Sequence, residues 1–506
     1  MRLAEGRLGR PARVLSLIVN QIYRWAHEQP FKTAVIANHR VIDYRAFVRA
    51  IDATRRFLQA QQVVPSTVAA AVTTNVLDAW LIVMAARSLG LTTIMVESIG
   101  QADELQLRNV GYVIVPQRHQ ANLQPQPASL AGARRLIVPQ DIYADANEGD
   151  VPAPPSETQP IGGHILYTSG TTGSYKKLLV DGAVEDQRNA ARAQMNGFDR
   201  NTLFHALFFG LWTGIGFKTS SAAWRSGGGV VIDQTPERSA NFLAYPITYA
   251  QTTPATLRPI VDARDPSAGP VESLLLRCGG GFVPESLARA AVARISRNFF
   301  VGFSSTEMAN SLMQSRFETV EDLVWLRPRV EGSVEVVDED GIECPPGVEG
   351  ELRALITEND STGYLDDEEA SAQMFRGGYF YPGDMAVRRE DGRIRVLGRT
   401  ADVINVNGVK YAVAPIELRV QQQLGVDEVC LFTGLSEAGV EELVVAVQTK
   451  EDLDPRAVQR ALGASGLFEQ IRVETFREFP RTTAGLAKTR RSELRRRVFD
   501  RDRAGS

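Results

Sequence analysis

Tyr167-Thr168-Ser169-Gly170-Thr171-Thr172-Gly173-Ser174-Tyr175-Lys176-Lys177-Leu178-Leu179-Val180 decides how this chain is read. The apolar run Ile165 to Tyr167 reads as a strand, and Leu178 to Val180 as its return strand. Between them stand hydroxyl side chains, two glycines and two lysines. Such a loop can turn backbone N–H groups and hydroxyls toward an anion and add point charge, which is what a polyphosphate needs. Gly170 and Gly173 permit a close backbone approach. The plainer reading is a surface turn, because Ser, Thr and Gly are common turn formers. A Walker loop is excluded: G-x-x-x-x-G-K-[ST] is not met, and no helix signal follows.

The 506 residues are too many for one hydrophobic core, so two or more domains are expected. A formal net charge of −4 gives no reason to expect nucleic acid as a partner. Cys278, Cys344 and Cys430 are widely spaced and odd in number, which fits a reducing compartment and no disulfide framework. The histidines are scattered without zinc-ligand spacing. Val14 to Val19 is apolar, but Asn20, Gln21 and Arg24 follow at once, too soon for a secretory segment. Leu77 to Val96 is the most apolar window, yet Asp78 and Arg87 lie within it. It reads as a buried helix and strand and not as a membrane span, and the expected location is cytoplasmic.

Working outward from the loop, strand and helix patterns alternate. Val14 to Ala26 has helical spacing, Thr33 to Ile42 reads as a hairpin around Asn38-His39, and Tyr44 to Gln61 is helical again. Val68 to Val72 is strand-like, and the alternation runs on through Trp80–Leu89, Thr92–Val96 and Tyr112–Val115. This is the pattern of an α/β fold with a mainly parallel sheet. Asn147 to Pro160 reads as an exposed connection.

Beyond the loop come further landmarks, each with an ordinary reading beside it. Leu203 to Gly216 is apolar, aromatic and glycine-interrupted, as many core segments are. Leu274 to Pro284 is a buried strand entering the glycine turn Gly279-Gly280-Gly281, after which Pro284 could open a helix. Phe299 to Glu307 is a strand ending in Phe303-Ser304-Ser305-Thr306-Glu307, and Thr-Glu after a strand is an ordinary helix start. Pro382-Gly383-Asp384 makes a good turn. Gly398-Arg399-Thr400-Ala401-Asp402 and Pro480-Arg481-Thr482 to Arg495 complete the set. The arginines through Arg503 read as a solvated end.

Together these stretches resemble the adenylate-forming superfamily, which includes acyl-CoA synthetases, aryl-acid and amino-acid adenylation domains and firefly luciferase. Thr168-Ser169-Gly170-Thr171-Thr172-Gly173 followed by Lys176 resembles its phosphate loop. Tyr175 stands where a proline is usual, and Lys177, which adds charge or faces solvent, where a glycine is usual. Gly280 and Gly281 match a turn beside adenine and acyl group, with Gly281 replacing alanine. Phe303 would stack on adenine, Thr306 would bond the α-phosphate, and Glu307 would hold Mg²⁺. Asp384 would accept the ribose hydroxyls, with Pro382 where a threonine is usual, and Arg399 would bond the ribose. Ala401 stands at the hinge, where Asp or Lys is usual. Gly408 would line the thiol tunnel.

The resemblance also implies an acyl pocket along Leu203 to Gly216, with Phe209 as gate and Trp212 as wall. Amino-acid-activating relatives place an aspartate after a phenylalanine here; Gly210 and Leu211 disfavour an α-amino acid. The C-terminal motif gives Lys488 as the catalytic lysine, with a loop two residues longer than usual and Ala487 replacing glycine. The alternative alignment puts Leu486 at that position.

The implied fold is α/β: a large N-terminal domain, 1–397, of mixed, mainly parallel sheets with a small β-barrel-like part, and a small mobile α+β C-terminal domain, 398–506. The implied reaction joins a non-amino carboxylic acid, aryl or medium acyl, to AMP from Mg-ATP with release of pyrophosphate. Transfer to coenzyme A would follow, or transfer to the phosphopantetheine of a carrier protein. A catalytically weak acyl-adenylate-binding protein is the alternative of another class.

Overall fold

The structure, a computed structural model, describes residues 18–122, 125–140, 149–155, 162–169, 175–207, 209–399, 403–406, 409–435, 441–450, 453–462, 471–481 and 489–504. Gly170 to Gly173, Ala401, Gly408 and Lys488 lie outside the described residues, and so does the start of the expected first helix. The chain divides into two compact units: Met1–Tyr167 with Lys177–Arg238 and Tyr245–Thr248, and Thr168–Lys176 with Ser239–Ala244 and Tyr249–Ser506.

Six strands, of the first unit except for Thr168–Ser169 and Tyr175–Lys176, lie in the order Arg134–Val138, Val110–Pro116, Val68–Val72, Thr92–Val96, His164–Ser169 and Tyr175–Val180. The pairings from Arg134–Val138 to His164–Ser169 are all parallel, so these strands need crossover connections. The helix Val76–Arg87 is one of these, and every residue from Val76 to Arg87 except Leu77 is buried. Its uniform apolarity is that of a helix enclosed on all sides. Asn75 caps it by accepting from the Asp78 N–H at 2.9 Å. Within it Arg87 makes a two-pronged ion pair with Glu185, both bonds 3.0 Å and both side chains 1% exposed. This explains why a charged residue sits in the most apolar window of the sequence.

The hairpin Thr33–Ala37 and Arg40–Asp43 turns at Asn38 and His39, with φ of 46° and 69°. Two left-handed residues give the tight turn whose twist suits a hairpin. Thr33–Ala37 pairs in parallel with Gly229–Ile232, which pairs in parallel with Leu203–His205.

The second unit begins its sheet with the parallel strands Tyr249–Thr252, Leu275–Gly279 and Asn298–Phe303, then adds Met313–Arg316 and Arg327–Pro328 antiparallel. A further antiparallel sheet runs from Val334 to Arg399. Further on, Glu428–Leu435, Glu441–Gln448 and Ile471–Phe476 form a three-stranded sheet whose alternate residues feed two cores. Val429, Leu431, Leu443, Val445 and Val447 face one cluster with Val420 and Val458. Cys430, Phe432, Val444 and Ala446 face the other with Leu494 and Val498. The period of two along each strand produces this division.

Candidate active site

The second unit carries the nucleotide-binding candidates on neighbouring strand ends. Gly279 and Gly302 are register partners on the parallel strands Leu275–Gly279 and Asn298–Phe303. A Cβ on Gly279 would lie 2.6 Å from the Gly302 carbonyl oxygen, so the two strands approach more closely than side chains allow. Gly280 follows at φ +77°, which favours glycine, and the turn leaves the sheet beside the Phe303–Glu307 segment. Ligands of open parallel sheets gather at these carboxyl ends. A Cβ on Gly281 would meet only Pro254, at 3.7 Å, so the alanine usual in the resembled pattern would fit, and glycine leaves extra room.

Thr306 and Glu307 do not open a helix. They lie in an irregular bend between Asn298–Phe303 and the antiparallel strand Met313–Arg316. Phe303 and Thr306 are half-buried, while Glu307 is 7% exposed. Ser304, in the glycine position of the pattern, bonds the Ser311 hydroxyl at 2.7 Å.

Both Glu307 oxygens accept hydroxyl hydrogen bonds. Ser305 donates to Oε2, and Tyr364 donates to Oε1 at 2.7 Å. A carboxylate offers about four lone-pair positions, so two remain for a cation. Magnesium is bound by one or two carboxylates and substrate phosphates, not by an all-protein cage. The buried, oriented Glu307 fits that role, and among the described residues no cluster of three or more His, Cys, Asp and Glu is present to hold a metal differently.

Lys176 places its ammonium 4.9 Å from the centre of the Tyr364 ring, a cation–π contact. The loop lysine and the candidate metal carboxylate therefore share one tyrosine. Tyr364 is absent from the sequence-based candidates, because it contacts Glu307 from 57 residues away and no spacing rule announces it.

Asp384, 5% exposed, opens the strand Asp384–Arg388 after Gly383 at φ +77°. Its register partner on Ile394–Arg399 is Arg399. The two candidates for the ribose are thus neighbours on an antiparallel ladder.

The acyl-pocket candidates belong to the first unit. Phe209 and Trp212 are 3% and 7% exposed, and Trp212 stacks with Tyr167 at a centroid distance of 6.3 Å. A Cβ on Gly210 would lie 1.9 Å from Trp212 Cζ3, so the indole fills the place of any side chain at 210, an aspartate included. After Trp212 comes a π-helix, Gly214–Thr219, capped by Thr213 accepting from Gly216 N at 2.8 Å. His164 steadies this stretch: its Nε2–H donates to the Leu211 carbonyl at 2.8 Å, and Nδ1 accepts from Thr93 at 2.9 Å. Burial, with the Arg87 charge adding to it, pushes His164 down to about 3.

Lys177 corrects the sequence reading. It is 8% exposed, and its ammonium bonds the carbonyls of Leu105 and Gln106 at 3.0 and 3.3 Å, next to the helix Ile99–Glu104. It neither reaches solvent nor adds charge to the loop; it ties the return strand to a helix end, where a cation is favoured.

The chain is 27% identical over 308 residues to the medium/long-chain-fatty-acid–CoA ligase FadD17 of Mycobacterium tuberculosis, covering 57% of this chain and 58% of that protein. With the 4-chlorobenzoate–CoA ligase of an Arthrobacter species it shares 23% over 452 residues, 84% of each. ATP-bound MatB from Rhodopseudomonas palustris has the same fold, with a TM-score of 0.79 at 19% identity over 96% of this chain and 99% of that one. The pattern of the AMP-binding enzymes matches residues 22–358, two strand-rich sheets and the bend at Glu307 included. The chain belongs to this family of AMP-binding enzymes, within the adenylate-forming superfamily.

Proposed function

We propose that this protein is an AMP-forming acid–thiol ligase: it activates a non-amino carboxylic acid, aryl or medium acyl, as the acyl-adenylate and passes the acyl group to coenzyme A. The observation that carries this reading is the convergence on Glu307. A buried carboxylate oriented by two hydroxyls lies in one unit with the loop lysine, the glycine turn and the Asp384–Arg399 pair. The ligase activities named for FadD17 and the Arthrobacter enzyme support coenzyme A as acceptor and bracket the acid between fatty and aryl. The chain spans 58% of FadD17, so the activity is argued from the site and not carried over.

Thr168, Ser169, Gly170, Thr171, Thr172, Gly173 and Lys176 would hold the leaving pyrophosphate, while Phe303, Gly280 and Gly281 flank adenine. Magnesium on Glu307 would offset charge on the phosphates. Thr306 would bond the α-phosphate, and Lys488 would meet the charge that develops as the carboxylate attacks phosphorus. Such stabilisation, with alignment, is the protein's main contribution to a phosphoryl-type transfer. Gly210, closed by Trp212, leaves no position for an aspartate to hold an α-ammonium, in line with a non-amino acid. We place the boundary of a mobile C-terminal domain near residue 398, where the two-cored sheet region begins to follow, and the site of action in the cytoplasm.

The test is pyrophosphate release from Mg-ATP with hydroxylamine as trap, run over aryl, aliphatic and dicarboxylic acids. Release with one acid class supports the reading, and none with any acid overturns it. Presenting the active acid with coenzyme A and with a phosphopantetheinylated carrier protein then separates the two acceptors.

A further inference from the structure

We propose that Tyr364 is a positioning residue that sets the metal carboxylate and the phosphate-loop lysine together, an inference that rests on the reading of Glu307 above. Its hydroxyl donates to Glu307 Oε1 at 2.7 Å, and its ring carries the Lys176 ammonium at 4.9 Å. One side chain therefore touches the group that would hold magnesium and the group that would meet the phosphates.

The tyrosine is itself fixed from several sides. It is 7% exposed, its ring meets Phe375 edge-on at 5.3 Å, and its N–H donates to Ser371 Oγ at 2.8 Å. The segment before it is stitched to the Glu307 bend by one main-chain and one side-chain contact. Ser361 N–H donates to the Glu307 carbonyl at 3.0 Å, and Asp360 Oδ1 accepts from Ala309 N–H at 2.6 Å. Asp360 Oδ2 is occupied by Thr357, through its N–H at 2.8 Å and its hydroxyl at 2.6 Å. These ties hold the Tyr364 hydroxyl and the Glu307 carboxylate in register.

The consequence for the metal is directional. Ser305 on Oε2 and Tyr364 on Oε1 each use one lone pair, which fixes the carboxylate plane and leaves one position on each oxygen for a cation. Losing such a partner of a metal-ligating carboxylate typically costs about 10–100-fold in metal affinity or activity. The consequence for Lys176 is a seat on the ring face that phosphate oxygens can take over, since the contact is electrostatic and undirected.

The ring and the hydroxyl can be separated. Tyr364→Phe keeps the ring under Lys176 and removes the donor; Tyr364→Leu removes both. Binding of a non-hydrolysable ATP analogue to the full chain would be measured by calorimetry across a magnesium titration, with melting temperature as the check on folding. We expect Y364F to raise the magnesium midpoint about 10–100-fold and to leave metal-free analogue binding within about twofold. Y364L should weaken metal-free binding as well. In a Glu307→Gln background, adding Y364F should shift the magnesium midpoint no further, because the two residues act through one contact. An unchanged midpoint in Y364F, or an equal further shift in the Glu307→Gln background, overturns the proposal. Wild-type analogue binding that is indifferent to magnesium overturns the Glu307 reading itself, an outcome distinct from the other two.

Discussion

Asp384 and Arg399 face each other across the antiparallel strands Asp384–Arg388 and Ile394–Arg399, and one step on the ladder is distorted between Met385 and Ala386. The pairing places the two ribose candidates at one level of the antiparallel ladder. A buried ionised carboxylate accepts only, and a ribose offers two hydroxyl donors.

From this pairing, Asp384→Ala should raise the KM for ATP much more than it lowers kcat. Hydrogen bonds to a charged group contribute about 1.5–3 kcal/mol, or roughly 10- to 150-fold in affinity. The measurement is KM for ATP beside that for 2′-deoxy-ATP. Wild type should discriminate between them and Asp384→Ala should not; equal discrimination in both would remove Asp384 from the ribose.

Lys176 and Lys177 are adjacent in sequence and opposite in role. Lys176 is half-buried over Tyr364, whereas Lys177 is buried on the carbonyls of Leu105 and Gln106. Lys176→Met should weaken ATP binding with little change in melting temperature. Lys177→Met should lower the melting temperature with little change in KM for ATP, because bonds from a charged donor, worth about 1.5–3 kcal/mol, are lost and two carbonyls are left without it. Thermal melting and ATP kinetics on the two variants check this, and matching profiles would contradict it.

How much of this was legible beforehand depends on distance along the chain. The strand Val68–Val72, the hairpin at Asn38-His39 and the strands framing the phosphate loop follow from local patterns of apolar residues and turn formers. The resemblance names Asp384 and Arg399 separately, and no local pattern announces that they are register partners. The burial of Lys177 was not, because its acceptors lie more than 70 residues upstream. Tyr364 was missed for the same reason, and the π-helix Gly214–Thr219 because one extra residue per turn leaves no distinct apolar period. The ordinary reading of Thr306-Glu307 as a helix start fails since the chain must return at once as the strand Met313–Arg316.

Two buried histidines set an acid limit on the first unit. Burial pushes His164 and His205 each down to about 3, with the Arg87 charge acting in the same sense on His164 and Asp233 opposing it at His205. In the unfolded chain both return to about 6.5. Between about 6.5 and 3 the unfolded state therefore binds more protons, and stability present above 6.5 is lost as pH falls. Each histidine can contribute up to about 1.4 kcal/mol per pH unit within that window. Melting temperature should fall from pH 6.5 to 5, before most carboxylates titrate, and His164→Gln should flatten the fall while its amide N–H replaces Nε2 on Leu211. An identical slope in the variant would contradict the assignment.

The C-terminal motif gives the sharpest division between alignments. Arg481 and Thr489 form an isolated antiparallel bridge, Arg490 N–H donates to the Pro480 carbonyl at 2.8 Å, and Arg481 bonds Glu428 at 2.7 Å. In sequence Lys488 directly precedes Thr489, and Leu486 stands two positions before Lys488. With Lys488 in the proposed role, Lys488→Ala should lower adenylate formation about 100- to 1000-fold, the usual cost of removing one charge-stabilising donor. KM for ATP should move little. Thioester formation from a preformed acyl-adenylate and coenzyme A should be spared, since the role proposed for the lysine lies in the first transfer. Leu486→Ala should leave both half-reactions close to wild type. If Lys488→Ala retains full adenylation, the lysine position falls at Leu486 and the charge must come from another residue; if both half-reactions fall together, the lysine acts in binding and not in the first transfer.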